Sequence, residues 1–278
     1  MKDKNITSKK QLAQHLGISR AILYYRPRQF LKDWNLKIKI EETLSQRPYH
    51  SYGHKRLAMH LKVNKKRTLR VMKIFGIKPY RRRKKGNYKK TKDLSEIYPN
   101  LLLTNMPQHP NHIWASDFTR IGIKGKIIYL ATVIDILTRE IVSFSVSTSH
   151  GVSLIINAFL SAISIHGPPE ITHSDQGSEY KSKTYTSLVE NLGTKVSMSR
   201  KDSPWENGYQ ESFYDKLKID MGDPNRFNDL GELIAEIYMT IHLYNTQRIH
   251  TKLKMPPRQY AILKKLTNQS LKTIHKGV

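Results

Sequence analysis

Three acidic residues in distinctive settings are the best candidates for chemistry in this sequence. Asp117 lies in Trp-Ala-Ser-Asp-Phe-Thr, Asp175 in His-Ser-Asp-Gln-Gly-Ser-Glu-Tyr, and Glu211 in Gly-Tyr-Gln-Glu-Ser-Phe. Magnesium prefers hard oxygen ligands and is usually bound by a few carboxylates together with phosphate oxygens. Two such ions can stabilise both the attacking and the leaving oxygen of an in-line displacement at phosphorus. If the three carboxylates converge, the sequence predicts a metal-dependent phosphoryl-transfer site.

The third carboxylate is expected on a helix that also carries a cation. Asn207, Glu211 and Lys218 are four and then seven residues apart, so they share one helical face. We therefore expect Lys218 to lie beside the metal ions, ready for a phosphate, and count it with Asn207 among the candidate DNA contacts. Between Asp175 and Glu211 lie 35 residues.

The charge balance indicates a polyanionic partner. The chain of 278 residues has 48 Lys and Arg against 22 Asp and Glu, a net charge of +26. Residues 1–100 hold 28 of the basic and 6 of the acidic residues, a net of +22. A half this basic is typical of nucleic-acid binding, because each cation near a phosphate releases condensed counterions. A basic but solvated surface, or a ribosomal type of protein, is the alternative.

Composition also excludes several classes of protein. There is no cysteine, so disulfides and thiolate zinc sites are excluded. No stretch is apolar enough to span or anchor in a membrane. The N-terminus is polar from Met1 to Gln14, without the pattern of a signal peptide. We therefore expect a cytoplasmic protein without a membrane partner.

The basic half is predicted to be helical and to bind DNA. Residues 1–30 have the layout of a helix-turn-helix, with Gly17 at the turn and Ser19 capping the second helix. Residues 31–80 form a second helical DNA-binding module, and 81–110 a basic linker. Ordinary helical hairpins with solvated charged faces are the alternative. The candidate DNA contacts are Arg20, Lys55, Arg56, Lys65, Lys66, Arg67, Arg70, Arg81, Arg82 and Arg83.

The second half is predicted to be a mixed α/β sheet with helices on its faces. Strands are expected at about 113–123, 127–136, 140–148, 169–174 and 193–199, and helices at about 151–166, 182–192, 204–220 and 228–247. Asp117 lies inside the first strand and Asp175 ends the fourth. If those strands are neighbours, both carboxylates reach the same edge of the sheet. We assign 111–262 to this core and 263–278 to a basic tail.

Several motifs together make the chain resemble the transposases of IS3-type insertion sequences, specifically their catalytic second-frame product. The resemblance covers roughly residues 10–260. The matching motifs are Trp114-x-x-Asp117-x-Thr119, Ile134-Asp-x-x-x-Arg139, His173-Ser-Asp-x-Gly-Ser-x-Tyr180, Ser197-Met-Ser-Arg-Lys201, Glu211-Ser-Phe-Tyr with Leu217-Lys218, and Tyr244-Asn-Thr-x-Arg-x-His250. The spacing from Asp175 to Glu211, and a basic residue seven positions after the glutamate, match that family.

The resemblance implies a ribonuclease-H-like integrase fold and a recombinase that uses two Mg²⁺ (or Mn²⁺) ions. Such an enzyme nicks the ends of an element and joins the freed 3′-hydroxyl to another strand, with Asp117, Asp175 and Glu211 as catalytic metal ligands. DNA and further copies of the chain are the expected partners. The catalytic product of this family is often fused, by frameshifting, to an upstream product with a helix-turn-helix and a leucine zipper. No heptad zipper is visible here.

Glu206 competes with Glu211 for the role of third ligand, because many relatives have an acidic residue next to the matching tryptophan. We assign Glu206 to a capping box, with Ser203 at the N-cap, Pro204 at the first helical position and Glu206 reaching back. Asp135 is assigned to a turn. His173 and Glu179 flank Asp175 and are expected to support it, with a purely structural histidine as the alternative.

Three functions remain open from the residues. The first is an active transposase, the second a DNA-binding regulator with an unused catalytic domain, and the third a metal-dependent nuclease without strand transfer. The intact triad and Lys218 argue against a decayed site. The nuclease would use the same site, so residues alone do not separate it from a transposase.

Overall fold

The computed structural model of the chain describes residues 8–24, 28–80, 98–200 and 204–275. Its helices are α1 Lys9–His15, α2 Arg20–Tyr24, α3 Arg28–Ser45, α4 His54–His60, α5 Lys65–Ile74, α6 Val152–His166, α7 Lys183–Asn191, α8 Gly208–Met221, α9 Leu230–Thr246 and α10 Pro257–His275. Its strands are β1 Ile113–Ile123, β2 Lys126–Asp135, β3 Ile141–Ser147, β4 Ile171–Ser174 and β5 Lys195–Met198. Within these ranges, no helix is both long and apolar enough to cross a membrane.

The five strands form one mixed sheet in the order β3-β2-β1-β4-β5. β1 pairs antiparallel with β2, and β2 with β3, whereas β4 is parallel to both β1 and β5. β2 is a nearly continuous apolar run and is buried along most of its length, as expected of a strand covered on both faces. β1 is central, so a side chain on it can meet residues from both the antiparallel and the parallel half of the sheet.

Helices cover both faces of the sheet and produce two apolar cores. One core joins one face to α8 and α9, through residues such as Phe213, Leu217 and Leu233. The other joins the opposite face to α6 and α7, through Phe159 and Val189. The predicted α/β class and each of its predicted elements are therefore confirmed.

The first half of the chain is helical, as predicted. Ser8 caps α1 by accepting a hydrogen bond from the Gln11 N–H, and Gly17 provides the turn before α2 with a φ of +65°. Helices α3, α4 and α5 bury a separate core that includes Ile40, Leu57 and Val71. We call residues 28–80, which contain α3, α4 and α5, the helical module.

The helical module is fixed to the C-terminal end of α8 by polar contacts. Asp220 accepts hydrogen bonds from Ser51 and from Arg248, and the latter pair is buried on both sides. Arg47 donates to the Asp220 carbonyl at 3.0 Å. The Tyr52 hydroxyl accepts from the Ile249 N–H at 2.7 Å. The helix that carries Glu211 is thus attached to the basic half of the chain.

Two of the predicted domain boundaries fall inside helices. The limit between 30 and 31 lies within α3, and the limit between 262 and 263 lies within α10, which continues to His275. The predicted basic linker, 81–110, contains one short 3-10 turn, Leu101–Leu103, in its described part. Most of the predicted basic linker, with Arg81, Arg82 and Arg83, lies outside the described residues.

Candidate active site

The pairing of β1 with β4 brings two of the predicted carboxylates to one end of the sheet. The strands are parallel, with Ala115 opposite His173. Asp117 and Asp175 each follow two residues later, so they leave the paired region side by side. This is the neighbour relationship on which the sequence argument depended.

Asp117 is half-buried and firmly held. Its carboxylate accepts a hydrogen bond from the Phe118 N–H at 2.8 Å, and its backbone carbonyl accepts one from the Tyr214 hydroxyl at 2.6 Å. Burial, together with the negative charges of Asp175 and Glu211, raises the pKa of Asp117 to about 8, although Lys218 acts in the opposite direction. Asp175 and Glu211 thus both act on Asp117, and the charge of Asp175 has the larger effect.

Asp175 is open to solvent at the end of β4. Its carboxylate accepts a hydrogen bond from the Gly177 N–H at 3.0 Å. A Cβ atom at Gly177 would lie 3.0 Å from the same oxygen and 3.5 Å from Glu179. A side chain at position 177 would displace the Asp175 carboxylate, so glycine is needed to keep it in place. This close contact explains why a glycine lies two residues after the aspartate.

Glu211 and Lys218 reach the site from α8. Glu211 is exposed in the first turn of the helix, and partial desolvation together with Asp215 raises its pKa. The Lys218 Nζ donates to Thr119 Oγ1 on β1 at 2.6 Å. The predicted alignment of Glu211 and Lys218 toward β1 is consistent with this contact and with their charge effects on Asp117.

Two residues that sequence reasoning missed fix α8 against the sheet. The Gln210 side chain is fully buried and donates to the carbonyls of Ala115 and Thr132 at 2.6 and 3.0 Å. Tyr214, one turn later, contacts the Asp117 carbonyl and the Thr132 hydroxyl. The available signal was a glutamine on the apolar face of a helix, since a buried amide requires hydrogen-bond partners.

The donor set fits a hard divalent cation. Asp117, Asp175 and Glu211 offer only carboxylate oxygens, which Mg²⁺ prefers, and a cation would offset the repulsion that raises the pKa of Asp117. Within the described ranges, no three acidic or histidine side chains lie close enough to hold one ion together. Asp117 is the carboxylate on which the charges of both Asp175 and Glu211 act.

Glu206 has structural partners. Its carboxylate accepts hydrogen bonds from the Arg200 N–H and guanidinium and from the Asn100 amide, at 2.7 to 2.9 Å. It lies in a 3-10 turn, Pro204–Asn207, before α8 begins. Ser203, the expected N-cap, lies outside the described residues. Asn207 is buried, and its side-chain oxygen has no hydrogen-bond partner among the described atoms.

The acidic and histidine residues near Asp175 and β2 have distinct environments. His173 is fully buried and its Nδ1 lies 2.9 Å from Ser197 Oγ, while burial lowers its pKa to about 4. Glu179 lies beside Asp175 and contacts His150 at 3.0 Å. Asp135 is buried and accepts from the N–H groups of residues 111 and 138, as its predicted turn role requires.

The candidate DNA contacts of the basic half differ in their surroundings. Arg67 and Arg70 lie against the buried Asp33, at 3.6 and 2.7 Å. Arg56 is half-buried, with its guanidinium carbon 5.6 Å from the centre of the Tyr52 ring. The remaining described candidates are exposed, namely Arg20, Lys55, Lys65 and Lys66.

Comparisons with known proteins agree with this arrangement. Two models described as "Integrase core domain" match residues 107–204 and 192–257. The transposase for insertion sequence element IS904 of Lactococcus lactis is 36% identical over 194 residues, which is 68% of this chain and 77% of that protein. The transposase for insertion sequence IS3A of Escherichia coli is 30% identical over 145 residues, 51% of this chain and 50% of its own.

A solved structure shows the same fold. A chain of the simian T-cell lymphotropic virus intasome, determined in complex with PP2A regulatory subunit B56 gamma, has a TM-score of 0.50 and 20% identity, over 76% of this chain and 70% of that one. The sheet order and flanking helices are therefore ribonuclease-H-like. With the sequence relatives, they confirm the resemblance: the chain belongs to the IS3 family of insertion-sequence transposases, which have an integrase core domain.

Proposed function

We propose that this protein cleaves and joins DNA strands at the ends of an insertion sequence, by phosphoryl transfer with a 3′-hydroxyl as nucleophile. The observation that carries the proposal is the approach of Asp117 and Asp175 on adjacent parallel strands, with Glu211 and Lys218 added from α8. A site of three carboxylates and one lysine suits a phosphodiester and a divalent cation better than it suits an uncharged substrate.

Asp117, Asp175 and Glu211 are the residues that would hold two Mg²⁺ or Mn²⁺ ions. When bound, these ions supply charge neutralisation and activation of oxygen at the phosphate. Tyr214 and Gln210 hold α8 against β1, so the distance between Glu211 and Asp117 is set by buried hydrogen bonds. Preorganised charges of this kind cost no reorganisation during the reaction.

Lys218 is proposed to bind the phosphate under attack. Its Nζ contacts Thr119, two residues beyond Asp117 on β1, and can exchange that hydroxyl for a phosphate oxygen as a charge-assisted hydrogen bond. In the joining step, the 3′-oxygen forms a bond to phosphorus and loses its proton, while the bond from phosphorus to the leaving 3′-oxygen breaks. One phosphodiester is exchanged for another, so no energy source is needed.

DNA affinity is proposed to come mainly from the basic half, with its net charge of +22 over residues 1–100. Element ends and target DNA are the proposed partners, together with further copies of the chain and, where it exists, a frameshift-fused upstream product. The cytoplasm is the proposed compartment.

A strand-joining assay separates the proposed reaction from the nuclease alternative. The protein, with its upstream product if one exists, is given Mg²⁺ and a pre-nicked element end with a free 3′-hydroxyl. Covalently joined or branched DNA is the expected product. If only hydrolysed fragments appear across metals and salt concentrations, the nuclease function is correct. If the protein binds DNA and neither product forms, it is a DNA-binding regulator with an unused catalytic domain.

A further inference from the structure

Residues from two motifs that the proposed active site does not use meet beside α8. They are Arg139, which follows β2, and Arg248 and His250, which follow α9. Arg56 of α4 and Lys216 of α8 join them. We call these five residues, Arg56, Arg139, Lys216, Arg248 and His250, the basic cluster. Lys216 lies five residues after Glu211, about 140° around the helix, so the cluster occupies a different side of α8 from the carboxylates.

The basic cluster lines two adjoining cavities. A cleft of about 470 Å³ lies between the helical module and α8, with Arg56, Lys216 and Arg248 in its wall. A second cavity of about 330 Å³ is lined by Arg139, Lys216 and His250. Lys216 lies in the walls of both cavities. Each of the two walls of the cleft, the module and the core, thus contributes cations.

The cluster carries more positive charge than its surroundings compensate. Arg248 is paired with the buried Asp220. Among the described residues, no ion pair involves the other four members. Asp215 is the one acidic residue in the wall of the described cleft. Burial, together with the positive charges of Arg139, Arg56, Lys216 and Arg248, lowers the pKa of His250 to about 4.

Several nitrogens of the basic cluster also lack hydrogen-bond partners. In the described part of the chain, these are Arg56 Nε, Arg139 Nη1, Arg248 Nε and His250 Nδ1. Arg139 and Arg248 are only 8% and 3% exposed. Desolvated cations and unpaired polar atoms are costly unless they are paired, so their concentration around two open cavities indicates a ligand that supplies negative charge and acceptors.

We propose that the basic cluster binds the phosphodiester backbone of DNA, at a site separate from the Asp117–Asp175–Glu211 carboxylates. Phosphate oxygens provide the negative charge that the cations in the wall of the cleft lack. The exposed Lys55 lies in the wall of the same cleft and extends the positive surface outward. A continuous DNA strand requires such an extended surface, whereas a single free phosphate does not. The choice of DNA as ligand rests on the proposed function.

Binding at this cleft would connect the two halves of the protein. Arg56 belongs to the helical module and Lys216 to the helix that carries Glu211. A phosphate held between them would fix the module to α8 when DNA is present, in addition to the contacts already made by Asp220 and Arg248.

The salt dependence of DNA binding by the complete chain tests this site without requiring catalysis. Lys216→Gln and Arg56→Gln are compared with Lys195→Gln, which changes an exposed lysine on β5. Affinity for a duplex is measured from about 50 to about 200 mM salt. In each cluster variant, the slope of log K against log salt is expected to become less steep by about 0.9. The affinity is expected to fall on the order of tenfold. Lys195→Gln should change neither.

Thermal unfolding without DNA distinguishes a binding role from a structural one. Lys216 Nζ donates to the carbonyl and hydroxyl of Ser212 at 2.6 Å, but among the described residues neither Lys216 nor Arg56 has an acidic partner in an ion pair. Replacing either cation should therefore change the Tm little, whereas removing a buried structural ion pair lowers it. The proposal is overturned if Lys216→Gln and Arg56→Gln retain the slope of the unchanged protein, whatever their Tm. If either fails to fold, Lys216→Met and Arg56→Met replace them under the same criteria.

Two further measurements complete the test. One distinguishes DNA from free phosphate as the ligand, and the other distinguishes failure of this site from failure of the proposed function. Inorganic phosphate that raises the Tm of the unchanged protein but not of Lys216→Gln, while both keep the same slope with DNA, would assign the cluster to a free phosphate and overturn the proposal. Asp117→Asn is expected to keep the salt dependence of DNA binding that the unchanged protein has, and to lose strand joining. If the cluster variants show the predicted difference in slope from the unchanged protein, but the unchanged protein never joins strands, the proposed function fails. The basic cluster then still stands as a DNA-binding site.

Discussion

The Nζ of Lys218 lies 2.6 Å from the hydroxyl of Thr119, and this contact joins helix α8 to the central strand β1. Thr119 lies two residues beyond Asp117 on that strand, and Lys218 lies seven beyond Glu211 on the helix. One contact therefore connects the elements that carry two of the carboxylates, and it places a cation beside them, where the proposed reaction requires a phosphate.

Replacing Lys218 tests the role of this cation. Lys218→Gln should lower the joining rate by about 10²-fold, because a donor preorganised for transition-state charge is lost. DNA affinity should change little, since one of many cations is removed. The rate is measured on a pre-nicked end in Mg²⁺, with Lys195→Gln as the control for a lysine far from the site. A variant that joins at the rate of the unchanged protein would remove Lys218 from the mechanism.

Gly177→Ala tests the close contact at Asp175. A Cβ at Gly177 would lie 3.0 Å from the Asp175 oxygen, so the carboxylate has to move by a few tenths of an ångström. We expect joining to fall by about tenfold or more, since misplacement of catalytic groups is costly, while the unfolding free energy changes by less than about 1 kcal/mol. Gly151→Ala, at a position with no neighbouring atom within 4 Å, is the control and should keep full activity.

The raised pKa of Asp117 predicts how stability depends on pH without metal. The folded protein binds this proton up to about pH 8, whereas the ordinary value is 3.8. The unfolding free energy should therefore fall as pH rises from about 4 to about 8, by on the order of 1–3 kcal/mol after allowance for partial exposure. Asp117→Asn should show a flatter profile and a higher Tm at pH 8, measured in chelator.

Adding metal should reverse that difference. Mg²⁺ binds the folded protein through the carboxylates, so it should raise the Tm of the unchanged protein at pH 8 and leave Asp117→Asn nearly unaffected. An equal shift in both proteins would mean that the metal binds elsewhere.

The buried pair of Asp220 and Arg248 predicts how strongly the helical module is attached. Asp220→Asn leaves a buried cation without its partner, which should cost about 3–5 kcal/mol of unfolding free energy. The pair of the half-buried Lys37 and the exposed Glu41, within α3, is the control, and Glu41→Gln should cost less than about 0.5 kcal/mol. Denaturant unfolding of both variants gives the comparison. Equal small losses would mean that the attachment does not depend on this pair.

The sequence predicted the sheet and the position of the carboxylates because these depend on local patterns. An apolar run at β2 and an acidic residue ending β4 are visible in the residues alone, and parallel neighbours share an edge. The hydrogen bonds of Gln210 and Tyr214 to the sheet were not predictable in the same way, because they depend on which helix face meets which strand.

In the basic half, charge patterns alone did not reveal which candidate DNA contacts have partners within the protein. Arg67 and Arg70 belong to a run of basic residues, but they meet Asp33, more than thirty residues earlier in the chain. Arg56 was selected for its charge, yet its half-buried position and its approach to Arg248 arise from packing of the module on the core. Contacts between distant segments are not encoded in local composition.

The most direct measurement of the central claim is Mg²⁺-dependent joining by Glu211→Gln and Glu206→Gln, side by side. Glu211→Gln should lose joining on the order of 10³-fold and still bind DNA with the affinity of the unchanged protein. Glu206→Gln, whose carboxylate contacts Arg200 and Asn100, should join strands and lose only stability. An inactive Glu206→Gln beside an active Glu211→Gln would contradict the assignment of the triad.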